Sequence, residues 1–378
     1  MAITARMAST PEMLACFDDD ALVGAALAFE HGLAEALAAH GVISAAAATA
    51  IGEACERFDA TGLADEAAHA GTLAIPLVAR LRAAVPGFAS AVHLGATSQD
   101  VADTALVLQI GQAMRLLDAE LTALAEALAV LAQAHATTPA IGRTLLQPAA
   151  PISFGMRAAS WMLGVEAAHG RLAREHRAAH QLALGGAVGS LAVLGVRGAE
   201  VRDALAARLG LSVGPAWHSR RDALVGLGAA VGIAIGALGK LARDVSLLMQ
   251  AEIAEVAEPV IAGRGGSSVM PHKRNATGCQ VALSAAIRGP GLVASLLGGM
   301  PQELERGLGG WQAEAPVIGE LFALAHGAAH AMRVVACGLE VHVAAMAAHA
   351  GPEDSDAIAA AARFVDEVLA RRSPGQAR

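Results

Sequence analysis

Three short polar segments interrupt an otherwise apolar chain, and their residue types suit the holding of anions. The longest runs Gly263, Arg264, Gly265, Gly266, Ser267, Ser268, Val269, Met270, Pro271, His272, Lys273, Arg274, Asn275. Its glycines free the backbone to offer N–H groups, the paired serines add hydroxyls, and Lys273 and Arg274 add positive charge. Such a segment suits a pliable lid over an anionic substrate. It is not a phosphate-binding P-loop, because GxxxxGK[ST] is absent and no strand precedes it. A second segment, His93 to Asp100, contains Thr97, Ser98 and Gln99 and stands just before a long helical pattern. Thr97 and Asp100 match a capping box, so a plain helix cap competes there with a carboxylate site made of helix-start N–H groups and hydroxyls. The third, Gly142 to Pro148, places Arg143, Thr144 and Gln147 in a proline-bounded polar loop between two helical stretches.

The elements that position these segments are helical. Of 378 residues 55% are hydrophobic but only 3% aromatic, with no tyrosine, so helix propensity is high and strand propensity low. Apolar patterns of period 3.6 cover roughly 98–136, 152–182, 216–257, 279–299 and 312–348. Helices of this length are stabilised along their whole sides, which predicts an all-α fold built on a long bundle shared between subunits. Three units are expected: an N-terminal helical domain over 1–95, the bundle over 96–340 with its lid at 260–278, and a short C-terminal helical segment over 341–378.

Composition also narrows the partners. The formal charge is 27 minus 35, or −8, with no basic run beyond Arg371, Arg372 and Arg378, so nucleic acid is not expected. Cys16, Cys55, Cys279 and Cys337 are widely spaced and read as reduced thiols of a cytoplasmic protein. The first twenty residues lack the apolar core of a signal peptide. Residues 223–239 are uncharged, but they are rich in alanine and glycine, bracketed by Asp222 and Lys240, and short for a membrane span. A buried bundle helix is expected there, with no comparable second span.

The run from Gly266 to Asn275 resembles the G-S-S-x-M-P-x-K-x-N fingerprint of the fumarase/aspartase superfamily, and the other two segments resemble its remaining regions in order. The resemblance covers roughly residues 10–345 and implies a long-helix bundle, a homotetramer whose sites each draw on three chains, a small polycarboxylate substrate and no metal or organic cofactor. It implies Ser268 as acid/base with Ser267 in support. Lys273 and Asn275 would hold carboxylates and growing charge, with Thr97, Ser98, Gln99, Thr144 and Gln147 binding the remaining carboxylates. His93 is either a further ligand or a structural histidine.

Within the superfamily, GRTLLQPAAPISFG, LLMQAEIAEVAEP and ERGLGGWQAE are most similar to the bacterial cycloisomerases that lactonise 3-carboxymuconate; C–N lyases acting on adenylosuccinate are the rival at Thr97 to Asp100 and Met270 to Asn275. Many lyases of the superfamily carry histidine and glutamate where this chain has Leu145 and Gln280. Loss of that pair handicaps protonation of an amine or hydroxyl leaving group, whereas a lactonising reaction uses the substrate's own carboxylate. Ala276 stands where relatives usually have proline. Two further readings compete: a non-catalytic structural member, and a di-iron bundle using Glu66 with His69 and Glu166 with His169.

Overall fold

The computed structural model describes residues 3–266, 269–270, 273–351 and 354–372. Short helices α1 (Ile3–Ala8) and α2 (Pro11–Ala15) lead into α3 (Asp19–Ala39), α4 (Ala45–Glu56), α5 (Leu63–Ala70) and α6 (Ala74–Ala84). The bundle follows as α7 (Ser98–Ala134), α8 (Phe154–Ala179), α10 (Asp222–Leu248), α11 (Thr277–Gly299) and α12 (Glu314–Cys337), with α9 (Gly198–Leu209) inserted and α13 (Val343–Ala350) and α14 (Ser355–Ala370) at the end. The long apolar patterns therefore mark helices, with frayed ends. The last one breaks after Cys337, where Gly338 ends α12 before α13 begins.

Helices α7, α8, α10, α11 and α12 pack side by side around one core, which includes Leu117, Leu124, Phe154, Leu238 and Phe322, all fully buried. Glycine and alanine at the contacts let axes approach closely: a Cβ on Gly228 would meet Leu296 at 2.2 Å. A second core joins α3, α4 and α6 to Val101 and Val107 of α7 and to residues 182–217, including Trp217. We propose the three-unit partition given above, with the N-terminal unit recruiting residues 182–217 from mid-chain.

The structure adds strands to the all-α expectation. Residues 139–153 are not an irregular loop but an antiparallel hairpin, β1 (Pro139–Thr144) and β2 (Gln147–Ser153), pairing Thr144 with Gln147. Its prolines suggest loop punctuation, yet a two-stranded ribbon has only edges, where a missing N–H is tolerated. A two-residue pair, β3 (Val256–Ala257) with β4 (Glu340–Val341), ties the lid's approach to the C-terminal segment. The expectation of no comparable second span is also corrected: α3, α10 and α11 are each long and apolar enough to cross a membrane. Helix α10 is mostly enclosed by its neighbours, whereas α11 leaves Ile287 and Leu297 on the surface.

Candidate active site

The first polar segment is fixed by buried charge. Asp100, fully buried, accepts hydrogen bonds from the N–H groups of Thr97 (2.9 Å), Gly185 (2.8 Å) and Gly186 (3.0 Å) and lies 2.6 Å from His218 Nε2. Gly186 has φ +67°, and a Cβ there would meet the Gly95 carbonyl oxygen at 2.8 Å, so this approach requires glycine. One turn on, Asp103 accepts two 2.8 Å bonds from Arg221, which also reaches Glu314 at 3.0 Å and stacks over Trp217. Burial raises the Glu314 carboxyl above its ordinary value against the pull of Arg221. Two carboxylates around one guanidinium hold the α7 start rigid.

Thr97 and Ser98 lie at that start, partly exposed. Gln99 does not: it is fully buried and donates to Asp103 (3.1 Å) and to the His218 carbonyl (2.8 Å). Its Nε2 thus braces the segment from behind, while its buried Oε1 has no partner among the described residues. His93 lies 2.6 Å from the fully buried Glu30, which engages its Nδ1. The Thr97 hydroxyl accepts a 2.8 Å bond from Arg306, which also donates to the Ala187 carbonyl, while its buried Nε has no partner. Arg306 was missed from the sequence, although it lies in the ERGLGGWQAE stretch and is a cation set among glycines in an apolar chain.

The second and third segments share the other end of the bundle. Thr144 and Gln147 are exposed at the hairpin tip, while Arg143 turns inward to Glu255 (2.6 and 3.1 Å). Glu255 is fully buried and also meets His349 at 2.9 Å. Burial pushes its carboxyl up, but hydrogen bonds from Arg143 and His349 and the charges of Arg143 and Arg157 outweigh this and hold it below the ordinary range. A cavity of about 440 Å³ beside the hairpin is lined by Gly142, Thr144, Leu146, Arg157 and Lys240.

At the lid root, Glu258 accepts hydrogen bonds from the N–H groups of Gly278 (2.9 Å) and Cys279 (2.8 Å), so a carboxylate neutralises the α11 N-terminus. Arg274 is spent on Glu340 (2.8 and 2.9 Å) and the Glu258 carbonyl. Asn275 closes the loop through its N–H to the Gly265 carbonyl (2.9 Å) and its amide to the Gly266 carbonyl (3.3 Å). Lys273, Asn275 and Gly266 line a recess of about 180 Å³. Ser267 and Ser268 lie outside the described residues.

The chain thus brings the second and third segments to one end and leaves the first at the other. The hairpin follows the C-terminus of α7, whose 37 residues put it about 55 Å from Thr97. The di-iron alternative gains no support, since Glu66 is engaged by Arg80 on α6 and Glu166 by Arg372. Among the described residues no three acidic, histidine or cysteine side chains cluster to hold a metal.

Residues 6–291 match a lyase family. Over 352 residues the chain is 45% identical to a 3-carboxy-cis,cis-muconate cycloisomerase of Pseudomonas putida, covering 89% of this chain and 82% of that protein. It is 39% identical over 357 residues to a nitrosuccinate lyase of Streptomyces davaonensis, covering 90% and 75%. The crystal structure of the 3-carboxy-cis,cis-muconate lactonizing enzyme from Pseudomonas putida superposes with a TM-score of 0.87 at 42% identity, covering 92% of this chain and 79% of that one. With the family match, these similarities and the long-helix bundle in agreement, the chain belongs to this lyase family, the fumarase/aspartase superfamily that its lid motif resembles.

Proposed function

We propose that the protein is a cycloisomerase that lactonises 3-carboxy-cis,cis-muconate, or a muconate with another anionic 3-substituent, in the degradation of aromatic compounds. The observation that carries this reading is the hairpin tip. Between Thr144 and Gln147 stand Leu145 and Leu146, 96% and 74% exposed, where an elimination would need a proton donor for its leaving group. Similarity to the Pseudomonas putida cycloisomerase supports the same choice.

In this reaction an oxygen of one substrate carboxylate bonds to a carbon of the conjugated diene. The displaced electrons collect beside a second carboxylate as an enediolate, and Ser268 delivers a proton to the carbon there. Ser267 supports it, and Lys273 and Asn275 stabilise the growing charge, the first as a point charge and the second as a neutral donor. Thr97 and Ser98 at the α7 start and Thr144 and Gln147 on the hairpin bind the remaining carboxylates, with Arg306 holding the Thr97 hydroxyl. His93 borders this group as a further ligand.

Such a site needs more than one chain, because about 55 Å of helix separates Thr97 from the hairpin. A homotetramer with three chains per site meets that need, and the apolar surface of α11 supports a shared bundle. We place the enzyme in the cytoplasm.

The test follows the ultraviolet absorbance of 3-carboxy-cis,cis-muconate: loss of the conjugated diene is expected. Fumarate released from adenylosuccinate, with the muconate untouched, would move the assignment to a C–N lyase. Absence of both signals would leave a non-catalytic member of the superfamily.

A further inference from the structure

We propose that Leu145 and Leu146 form a water-excluding wall in the substrate cavity of a neighbouring copy and so select ring closure over hydration. The inference rests on the cycloisomerase reading. Both residues have left-handed backbones, φ 51° and 66°, at the two central positions of a hairpin turn closed by Thr144 and Gln147. A two-residue turn of this kind favours Asn-Gly, since a branched side chain at positive φ crowds its own backbone. Natural chains retain such strain where surrounding structure fixes it, commonly at functional sites. Here the chain's own structure offers little compensation: Leu145 is 96% exposed, and Leu146, on the rim of the cavity beside the hairpin, is 74% exposed.

The compensation therefore lies outside the chain, and a second copy is the occupant that fits. The tip is flanked by exposed Thr144 and Gln147 and backed by a polar cavity in which Arg143 and Arg157 pair with Glu255 and Lys240 with Asp244, so it suits entry into a polar site. The helix-start segment carrying Thr97 can meet it only from another chain.

The chemistry explains why leucine belongs there. At the polarised diene carbon two oxygen nucleophiles compete for the same proton delivery. The internal carboxylate forms a C–O bond and yields the lactone; water forms a C–O bond, passes its second proton to the site base and yields a hydroxy acid. Proximity favours the carboxylate only while water is kept from the opposing face. Two leucine side chains can occupy that face without offering a hydrogen bond.

The experiment replaces the pair with the residues the turn prefers, Leu145→Asn with Leu146→Gly, and runs the muconate reaction in H₂¹⁸O. A higher Tm is expected from the relaxed turn, with assembled mass unchanged. The lactonisation rate should fall several-fold, and a hydroxy acid carrying one ¹⁸O should rise at least tenfold over wild type. Leu145→Asn alone should change both in the same direction. Unlabelled lactone as the sole product of both variants, at the wild-type rate, would overturn the proposal. Dissociation into inactive monomers would overturn it in favour of a purely assembling role. A wild-type enzyme that forms no lactone would instead sink the cycloisomerase reading, and this inference with it.

Discussion

The two ends of the bundle set out their polar groups in opposite ways. At the start of α7, Asp100, Asp103, Arg221, His218 and Glu314 are buried and mutually bonded, so Thr97 and Ser98 sit on a rigid base. At the far end, the polar groups lie on an exposed hairpin tip and a glycine-rich lid braced at its root by Glu255, Glu258 and Arg274. Fixed charge suits a carboxylate that stays in place through the reaction. A glycine-rich segment suits the closing, proton-moving group of the proposed reaction.

The contrast breaks most sharply at the lid. Ser268→Ala should lower kcat by about 10²–10⁴-fold, the contribution of a positioned proton donor, with circular dichroism and assembled mass unchanged. Retained turnover would shift the chemistry away from the pliable end. Arg221→Leu tests the rigid end and should act on stability instead. It leaves Asp103 and Glu314 buried without their cation, a loss of about 3–5 kcal/mol in denaturant unfolding. Lys273→Ala, at an exposed position, should raise KM with little change in unfolding. Equal destabilisation by both substitutions would erase the distinction between the ends.

Glu255 sharpens the comparison, because it is a buried charge at the otherwise pliable end. Its carboxyl is held below the ordinary value of 4.5, so the folded state keeps the charge more readily than the unfolded chain does. That contribution is fully present above the ordinary value and is lost as pH falls through the lower folded value. Glu255→Gln should therefore cost about 1.5–3 kcal/mol near pH 7, where charge-assisted bonds to Arg143 are lost. The gap in Tm between variant and wild type should narrow as pH falls below 4.5. A constant gap across that range would show that Glu255 acts by shape alone.

The sequence made the rigid end easier to read than the pliable one. Thr97 and Asp100 announce a cap by spacing, and the long helices follow from alanine and leucine at period 3.6. Their depth did not follow: Gln99 reads as an accessible amide until Asp103 and His218 are seen to claim it, and Asp103's cation, Arg221, is 118 positions away, with that cation's second carboxylate, Glu314, 93 further on, beyond any local pattern. The hairpin stayed hidden because its prolines usually mark loops and because Leu145-Leu146 is the reverse of a turn signal. Arg306 and Glu255 lie in stretches that resemble the family, yet nothing in those stretches names their partners, and only the fold shows that one holds Thr97 and the other Arg143.

Ala276 gives the smallest expected effect and the finest test of where the lid bends. It has φ −76° and ψ 68°, and the Thr277 N–H bonds the Asn275 carbonyl at 2.9 Å, the geometry of an inverse γ-turn. Proline's fixed φ fits this backbone, and among the described residues the Ala276 N–H makes no hydrogen bond that proline would remove. Ala276→Pro should thus add about 0.4–1 kcal/mol by narrowing the unfolded ensemble, seen as a small rise in Tm. If closure depends on Gly263, Gly265 and Gly266 at the lid's entrance, kcat will not change, because the exit is already anchored by Glu258 on the start of α11. A fall in kcat with the rise in Tm would place the working hinge at the exit instead, and the pliable end would then extend to the first turn of α11.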